Sequence, residues 1–218
     1  MAPCGPRTEM PRIRVKICGI TRVDDALAAA ASGADAVGLV FHPSSPRAVS
    51  LSQALAIRAA LPPFVTVVGL FVDAPAVQVQ VAIREAALDL LQFHGDEAPA
   101  YCRGFARPYL KAVRMRPGVD LYCEARRFAD AAGLLLDTYQ QGVPGGTGVP
   151  FDWTRVPGDL ERPLVLAGGL DPDNVAQAVR QVRPYGVDVS GGVELAKGVK
   201  DPAKIAAFIR GVTSVDTD

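Results

Sequence analysis

This sequence lacks long apolar runs, and it has no excess of charge of either sign. Its 218 residues include 23 Lys and Arg and 23 Asp and Glu, so the formal net charge is zero. Such a balance argues against a general nucleic-acid binder or a protein of anionic membrane surfaces. No apolar run reaches the roughly 18 residues that a membrane-spanning helix needs. We therefore expect neither a nucleic acid nor a membrane as partner.

Cysteine and histidine are also scarce. The four cysteines and two histidines form no C-x-x-C pair and no cluster with the spacing of metal ligands, so we expect no metal site. The first residues are rich in proline and arginine and lack the apolar segment of a secretion signal. We accordingly expect reduced thiols and a cytoplasmic protein. Residues 1–13 are predicted to be a disordered extension, followed by one catalytic domain, residues 14–218.

The apolar residues that are present make up 49% of the chain, enough for a core without disulfides. They fall in eight short segments, spaced by roughly 25 residues, with helical patterns between them. In the first repeat, residues 15–18 are predicted to form a strand, 21–31 a helix and 36–41 a second strand. This alternation predicts an α/β protein, a single (β/α)8 TIM barrel, with a doubly wound open sheet as the alternative.

Two helix starts can be predicted from capping residues. Thr21 is expected to be the N-cap of the first helix and Ser50 that of the second. The spacing of apolar residues in the second helix predicts that Leu51, Leu55 and Ile57 lie on its inner side.

Functional side chains of such a barrel gather at the carboxyl ends of the strands. Cys18 and Asp137 end the first and sixth predicted strands, His94 follows the fourth, and Arg47 lies in the loop after the second. Each also has an ordinary structural interpretation. A free cysteine is commonly a small buried apolar residue, an arginine a solvated loop charge, a carboxylate a helix cap or loop anchor, and a histidine a partner of local backbone.

Two glycine pairs, Gly168-Gly169 and Gly191-Gly192, follow the seventh and eighth predicted strands. The loops at these positions form the recurrent phosphate site of these barrels, because glycine lets backbone N–H groups approach an anion. Tight turns between strand and helix are the alternative interpretation. The polar segment 138–149, which contains Gly146, is expected to be a flexible loop over the site.

Several motifs at these strand ends together resemble one family, phosphoribosylanthranilate isomerase. The resemblance covers about residues 14–210, with the motifs in the expected order. One departure is Q-F-H-G where the family commonly has Q-L-H-G, and residues 1–13 match nothing in the family. The motifs are K-I-C-G-I-T at 16–21, G-A-D-A-V-G at 33–38, S-P-R at 45–47, Q-F-H-G at 92–95, L-L-D-T at 135–138, G-G-T-G at 145–148, F-D-W at 151–153, A-G-G-L at 167–170 and V-D-V-S-G-G-V-E at 187–194.

The resemblance implies an aldose–ketose isomerase of L-tryptophan biosynthesis that needs no cofactor. Its substrate is N-(5-phosphoribosyl)anthranilate and its product 1-(2-carboxyphenylamino)-1-deoxyribulose 5-phosphate, formed by an Amadori rearrangement. The same resemblance implies Cys18 as general base, Asp137 as general acid and Arg47 as the ligand of the anthranilate carboxylate. His94 and Asp188 are placed among the substrate-binding residues.

For the phosphate, the resemblance implies the backbone around Gly146, Gly168-Gly169 and Gly191-Gly192. The expected partner is therefore a small phosphorylated molecule. We expect the chain to act as a monomer, with a homodimer as the alternative.

These roles make opposite demands on the two catalytic groups. Asp137 must stay protonated to act as an acid, whereas Cys18 must reach the thiolate form to act as a base. Lys16 is expected to favour the thiolate, or else to be a structural ion-pair partner inside the barrel.

Two other functions compete. A sugar-phosphate isomerase of the histidine-pathway type uses two aspartates, and Cys18 at the first strand argues against it. A non-catalytic phosphate-binding barrel would be expected to lack one member of the acid–base pair.

Overall fold

Eight parallel strands close into a barrel in the order in which they occur along the chain. The protein is described by a computed structural model over residues 12–138 and 150–215. The predicted (β/α)8 barrel is thereby confirmed. The strands are β1 Arg14–Cys18, β2 Ala36–Val40, β3 Thr66–Phe71, β4 Leu90–Phe93, β5 Tyr109–Arg114, β6 Gly133–Asp137, β7 Leu164–Leu166 and β8 Gly186–Val189.

Seven α-helices occur in the described ranges, and between β6 and β7 those ranges hold a short 3-10 helix, Trp153–Arg155. A second small sheet, the antiparallel hairpin of β9 Glu194–Ala196 and β10 Val199–Lys200, follows β8. The helices are α1 Val23–Ala31, α2 Leu51–Ala60, α3 Ala76–Glu85, α4 Pro99–Cys102, α5 Leu121–Arg127, α6 Val175–Val182 and α7 Pro202–Thr213.

Parts of three sequence predictions lie outside the described residues. They are residues 1–11 of the expected extension, most of the expected loop 138–149 with Gly146, and the last three residues of the domain. The boundaries of extension and domain stay predictions. No helix of the described ranges is long and apolar enough to cross a membrane.

The alternation of side chains along each strand divides the interior into two parts. Successive strand residues face opposite sides, so Val15 and Ile17 of β1 pack outward against the helices in the main core. Lys16 and Cys18 face the barrel interior. There Cys18 packs with Val40 of β2 in a small cluster of its own. The barrel interior is therefore where β1 presents its polar and reactive groups.

The helix starts and faces test the sequence predictions in detail. Ser50 caps α2 as predicted, accepting the N–H of Gln53 at 3.2 Å. Leu51 and Leu55 were expected on the inner side of this helix, which is wrong: they are 38% and 53% exposed. The buried side chains of α2 are those of Ala54 and Ile57. A small alanine lets the helix lie close to the strands, and the larger leucines turn outward.

The prediction for α1 is also wrong at its first residue. Arg22 occupies the N-cap position and makes no side-chain cap. Thr21 instead donates its hydroxyl to the carbonyl of Gly198, in the β9–β10 hairpin. Asp24 and Asp25 in the first turn still place negative charge where the helix dipole favours it.

Candidate active site

Cys18 ends β1 at the carboxyl-terminal mouth of the barrel and is 5% exposed. Two residues earlier on the same face, Lys16 donates to Asp188 Oδ1 at 2.8 Å, across the β1–β8 pairing. Gly38 of β2 lies opposite Cys18. A Cβ at residue 38 would come within 2.8 Å of the sulfur and 3.1 Å of Lys16 Nζ. Glycine at this position therefore makes room for both groups.

The surroundings of the Cys18 thiol have opposing effects on its pKa. Burial raises the pKa of Cys18, while the Lys16 ammonium lowers it and the Asp188 carboxylate raises it further. Lys16 thus acts in the expected direction, but the cost of burying a thiolate is larger and the pKa of Cys18 is raised. Burial lowers the pKa of Lys16, yet Asp188 and Cys18 outweigh this and the pKa is raised overall. Cys18 therefore lies beside a buried ion pair, with burial favouring the thiol and Lys16 favouring the thiolate.

Asp137 ends β6 and is 8% exposed. Its Oδ1 accepts the backbone N–H of Thr138 at 2.9 Å, and its Oδ2 lies 3.0 Å from His94 Nε2. The other ring nitrogen of His94, Nδ1, lies 3.0 Å from Gln92 Nε2, and Gln92 is fully buried in β4. A chain of three side chains therefore connects the barrel interior to Asp137.

The backbone of His94 is fixed from both sides. Its N–H donates to the carbonyl of Phe71 at 2.8 Å, and its carbonyl accepts from Arg114 Nη2 at 3.1 Å. The next residue, Gly95, is held by the buried Lys111, which donates to its carbonyl at 2.6 Å and also binds Glu97 at 2.8 Å. This support keeps the imidazole aimed at Asp137.

Arg47 makes a two-point ion pair with Glu194. Its Nε and Nη2 donate to Oε1 and Oε2 at 2.7 and 2.8 Å, and Lys200 Nζ donates to the same Oε1 at 3.0 Å. The Arg47 side chain passes over Gly19, whose φ is +73°. A Cβ on Gly19 would lie only 2.5 Å from Arg47 Cδ, so glycine is required there both by the backbone and by the path of the arginine.

The two glycine pairs stand where the loops after β6, β7 and β8 meet. A Cβ on Gly168 would lie 2.9 Å from Asp137 Oδ1 and 2.3 Å from the Thr138 nitrogen. A Cβ on Gly192 would lie 2.1 Å from the carbonyl oxygen of Leu170. Close packing of the loops therefore explains why residues 168 and 192 are glycines. Because these glycines have no side chain, their backbone N–H groups are not covered by a Cβ. Gly191 adjoins the arginine site, because a Cβ there would be 3.5 Å from Arg47 Nη2.

A family model described as N-(5'-phosphoribosyl)anthranilate (PRA) isomerase matches residues 15–211. The chain belongs to this family. The isomerase of Pseudomonas aeruginosa strain UCBPP-PA14 is 62% identical over 205 residues, 94% of this chain and 97% of the relative. That of Pseudomonas putida strain W619 is also 62% identical, over 93% of this chain and 98% of the relative. The resemblance found in the motifs is thereby confirmed.

Solved structures of phosphoribosylanthranilate isomerases share the whole fold. The crystal structure from Thermotoga maritima has 40% sequence identity and a TM-score of 0.86, over 93% of this chain and 99% of that one. The structure from Thermus thermophilus has 38% identity and a TM-score of 0.84, over 93% and 100%.

Within this isomerase-family barrel, the predicted site residues of the described ranges all lie at the same end. Cys18, Asp137 and His94 are at strand ends, Asp188 lies one layer deeper, and Arg47 reaches in from the loop after β2. Gly146 lies outside the described residues. Among the residues in those ranges, no group of three or more His, Cys, Asp or Glu is arranged to hold a metal ion.

Three residues of this site were not predicted from the sequence. Gln92 is a polar residue in an otherwise apolar strand, L-L-Q-F, and that interruption is a signal that can be read without a structure. Glu194 ends the motif V-D-V-S-G-G-V-E, but neither its role nor that of Lys200 can be read from the sequence. Glu194 matters through its contact with Arg47, which lies 147 residues earlier, and Lys200 through its contact with Glu194.

Proposed function

We propose that this protein catalyses the Amadori rearrangement of N-(5-phosphoribosyl)anthranilate, a step of L-tryptophan biosynthesis, with Asp137 as general acid and Cys18 as general base. Membership of the isomerase family supports the reaction. The observation that carries the residue roles is the arrangement at the barrel mouth, where a carboxyl and a thiol stand at the ends of β6 and β1 with β7 and β8 between them.

The reaction requires two proton transfers on the sugar. Protonated Asp137 gives its proton to the furanose ring oxygen; the bond from that oxygen to C1 breaks and leaves a protonated imine. Cys18 as thiolate then removes the proton from C2, and the electron pair of that C–H bond forms the enolamine. Tautomerisation of the enolamine to the ketone completes an isomerisation without net oxidation. The groups that this scheme needs are supplied by the chain itself.

His94 and Gln92 can serve both protonation states of Asp137. When Gln92 Nε2 donates to His94 Nδ1, the ring proton sits on Nε2 and is donated to the Asp137 carboxylate. When the amide is turned over, Nδ1–H donates to Gln92 Oε1, and Nε2 accepts the proton of the Asp137 carboxylic acid. His94 therefore acts on the acid rather than on the substrate in this proposal.

The remaining residues bind the two anionic ends of the substrate. Arg47 binds the anthranilate carboxylate, and backbone N–H groups of the loops with Gly168-Gly169 and Gly191-Gly192 bind the phosphate, together with the segment around Gly146. Asp188 contributes through its ion pair with Lys16. A related phosphoribosylanthranilate isomerase, 40% identical with a TM-score of 0.83, was solved with reduced 1-(o-carboxyphenylamino)-1-deoxyribulose 5-phosphate, which supports a phosphorylated ligand of this class.

We further propose a cytoplasmic monomer, with a homodimer as the alternative. Another solved relative, from Thermotoga maritima and 37% identical, is described as monomers of a dimeric isomerase, so both states are represented among similar chains. Sedimentation of the purified protein at several concentrations distinguishes them.

Turnover can be followed by fluorescence, because anthranilate derivatives fluoresce. Adding the protein to N-(5-phosphoribosyl)anthranilate should remove the substrate fluorescence, and the Cys18→Ala variant should not. Binding of the phosphorylated ligand without any turnover by the wild-type protein would instead indicate a non-catalytic binding barrel.

A further inference from the structure

A buried ion network that takes no part in the proton transfers lies behind Arg47. We call Arg47, Glu194 and Lys200 the arginine clamp. Their side chains are 17%, 7% and 0% exposed, and Glu194 binds both cations. Burial alone would raise the pKa of Glu194, but Arg47 and Lys200 outweigh it and the pKa is lowered. The two cations therefore favour the ionised form of this buried carboxylate.

The β9–β10 hairpin fixes the clamp relative to the rest of the site. Within it the N–H of Gly198 donates to Glu194 Oε1 at 3.2 Å, and the N–H of Lys200 donates to Asp25 Oδ2 of α1 at 3.1 Å. Lys200 Nζ also donates to the carbonyl of Ser190, at the end of β8, at 3.1 Å. Glu194 is thus held by one backbone N–H as well as by two cations.

The geometry leaves a defined part of the Arg47 guanidinium for a ligand. A guanidinium has five N–H donors, and Glu194 takes one from Nε and one from Nη2. The outer edge, formed by Nη1 and the second N–H of Nη2, matches a second carboxylate with two parallel hydrogen bonds. Pairing with Glu194 alone would neutralise Arg47. Lys200 is a second cation on Glu194; burial lowers its pKa, and the contact with Glu194 opposes that shift.

We propose that Glu194, supported by Lys200, is a positioning residue that orients the outer edge of Arg47 toward the carboxylate on the substrate's aromatic ring. The clamp thereby sets the preference for an arylamine with an ortho carboxylate. This inference rests on the proposed function, in particular on the role of Arg47.

Two substitutions of Glu194 test whether its charge and its length are both needed. Glu194→Gln keeps the size and removes the charge, whereas Glu194→Asp keeps the charge and is one methylene too short for the two-point contact. Dissociation constants are measured for reduced 1-(o-carboxyphenylamino)-1-deoxyribulose 5-phosphate and for the phenylamino counterpart that lacks the carboxylate. Both variants should bind the carboxylated ligand roughly tenfold or more weakly, as for a lost charge-assisted contact, and the phenylamino ligand within about twofold of wild type.

The Arg47→Ala background tests whether Glu194 acts through Arg47. Adding Glu194→Gln to Arg47→Ala should not raise the dissociation constant of the carboxylated ligand further, because there is no guanidinium left to orient. In steady-state assays of the single variants, KM should rise more than kcat falls.

Several results would overturn the inference. If Glu194→Gln binds the carboxylated ligand equally or more tightly, Glu194 competes with the substrate for Arg47 or is a bystander. If the affinities for both ligands fall equally, the clamp has only a general structural role. Should Glu194→Gln fail to fold, Glu194→Asp decides by the same comparison. Failure of the proposed function is recognised separately, by the absence of turnover in the wild-type protein.

Discussion

The pKa of Cys18 depends strongly on the groups around its thiol. Its pKa is raised by burial, and a protonated thiol cannot take a proton from C2. Lys16 is the neighbour that favours the thiolate, and Gly38 provides the space that brings the ammonium and the sulfur together. In the proposed mechanism only the fraction of enzyme with an ionised Cys18 is active.

Replacing Cys18 with serine tests this role directly. Serine keeps the size but has no accessible anion, so kcat should fall by at least about a hundredfold, the lower range for loss of a general base. The exposed Cys123 offers a matched control, because Cys123→Ser changes the same group on the outer helix α5. Thermal melts should show both variants folded. Turnover near the wild-type value in Cys18→Ser would exclude Cys18 as the base.

The role of Asp137 is tested by separating turnover from binding. Asp137→Asn keeps shape and polarity but has no suitable proton to give, so ring opening should be lost and turnover nearly abolished. Affinity for the reduced product analogue should stay within about tenfold of wild type, or 1.4 kcal/mol, since phosphate and carboxylate contacts remain. His94→Gln leaves the carboxyl in place and should lower kcat less. If Asp137→Asn loses affinity in proportion to turnover, Asp137 is a loop anchor and not the acid.

The site residues predicted from the sequence can be placed by the strand pattern alone, whereas those that were missed depend on contacts distant in sequence. Cys18 and Asp137 stand at strand ends, and the alternation of strands and helices is enough to place them at the barrel mouth. Glu194 and Lys200 act through Arg47, which is distant in sequence, and only the closed barrel and the β9–β10 hairpin bring them together. A pairwise contact of this kind leaves no periodic signal in the chain.

At the scale of elements, α2 shows why local patterns give the helix but not always its buried side. Its start was predicted correctly because the capping residue Ser50 and its partner Gln53 are only three residues apart. Its inner side was predicted to hold Leu51, Leu55 and Ile57; the structure buries Ile57 as predicted, but together with Ala54 instead of the two leucines. Which stripe faces the strands depends on how closely the helix can approach them, and that is decided by tertiary packing.

The effect of a substitution in α2 on the free energy of unfolding should depend on whether the side chain is buried in the structure. Ile57 is 1% exposed, so Ile57→Ala should destabilise the protein by about 2–5 kcal/mol through lost burial and a cavity. Leu55 is 53% exposed on the same helix, and Leu55→Ala should change the free energy of unfolding by no more than about 0.5 kcal/mol. Urea unfolding with a constant m-value measures both. Equal losses would mean that the leucine side of α2 is covered in solution.

At the scale of the whole molecule, the repeating pattern of apolar segments was sufficient to predict the barrel. Parallel strands joined by helices must be buried on both faces, and closure into a barrel leaves no unpaired edge. Two departures from regular alternation were not predicted: the 3-10 helix at Trp153–Arg155 in the β6–β7 connection, and the β9–β10 hairpin after β8. The hairpin carries Glu194 and Lys200 of the arginine clamp, so this irregular part of the fold supports the site.

Global stability should fall at alkaline pH, and Cys102 provides a way to measure why. Burial raises the pKa of this fully buried thiol to about 11, with Lys111 opposing the shift and Glu97 and Asp130 adding to it. A thiol in the unfolded chain ionises near pH 9, so below that pH both states hold the proton. Between about pH 9 and 11 the unfolded chain releases its proton and the folded protein retains it, which favours unfolding by up to about 2–3 kcal/mol.

The difference between two variants isolates this contribution from other alkaline groups. Cys102→Ala removes the buried thiol, so its free energy of unfolding should fall less between pH 8 and 11 than that of wild type, by about 2–3 kcal/mol. Cys123→Ala, at an exposed position, should follow the wild-type curve. Urea unfolding in the presence of a reductant gives the free energies at each pH. If the Cys102→Ala and Cys123→Ala curves run parallel, the folded protein does not hold the Cys102 proton above pH 9, and the alkaline loss of stability must come from the other buried groups, among them Tyr109 and Lys16.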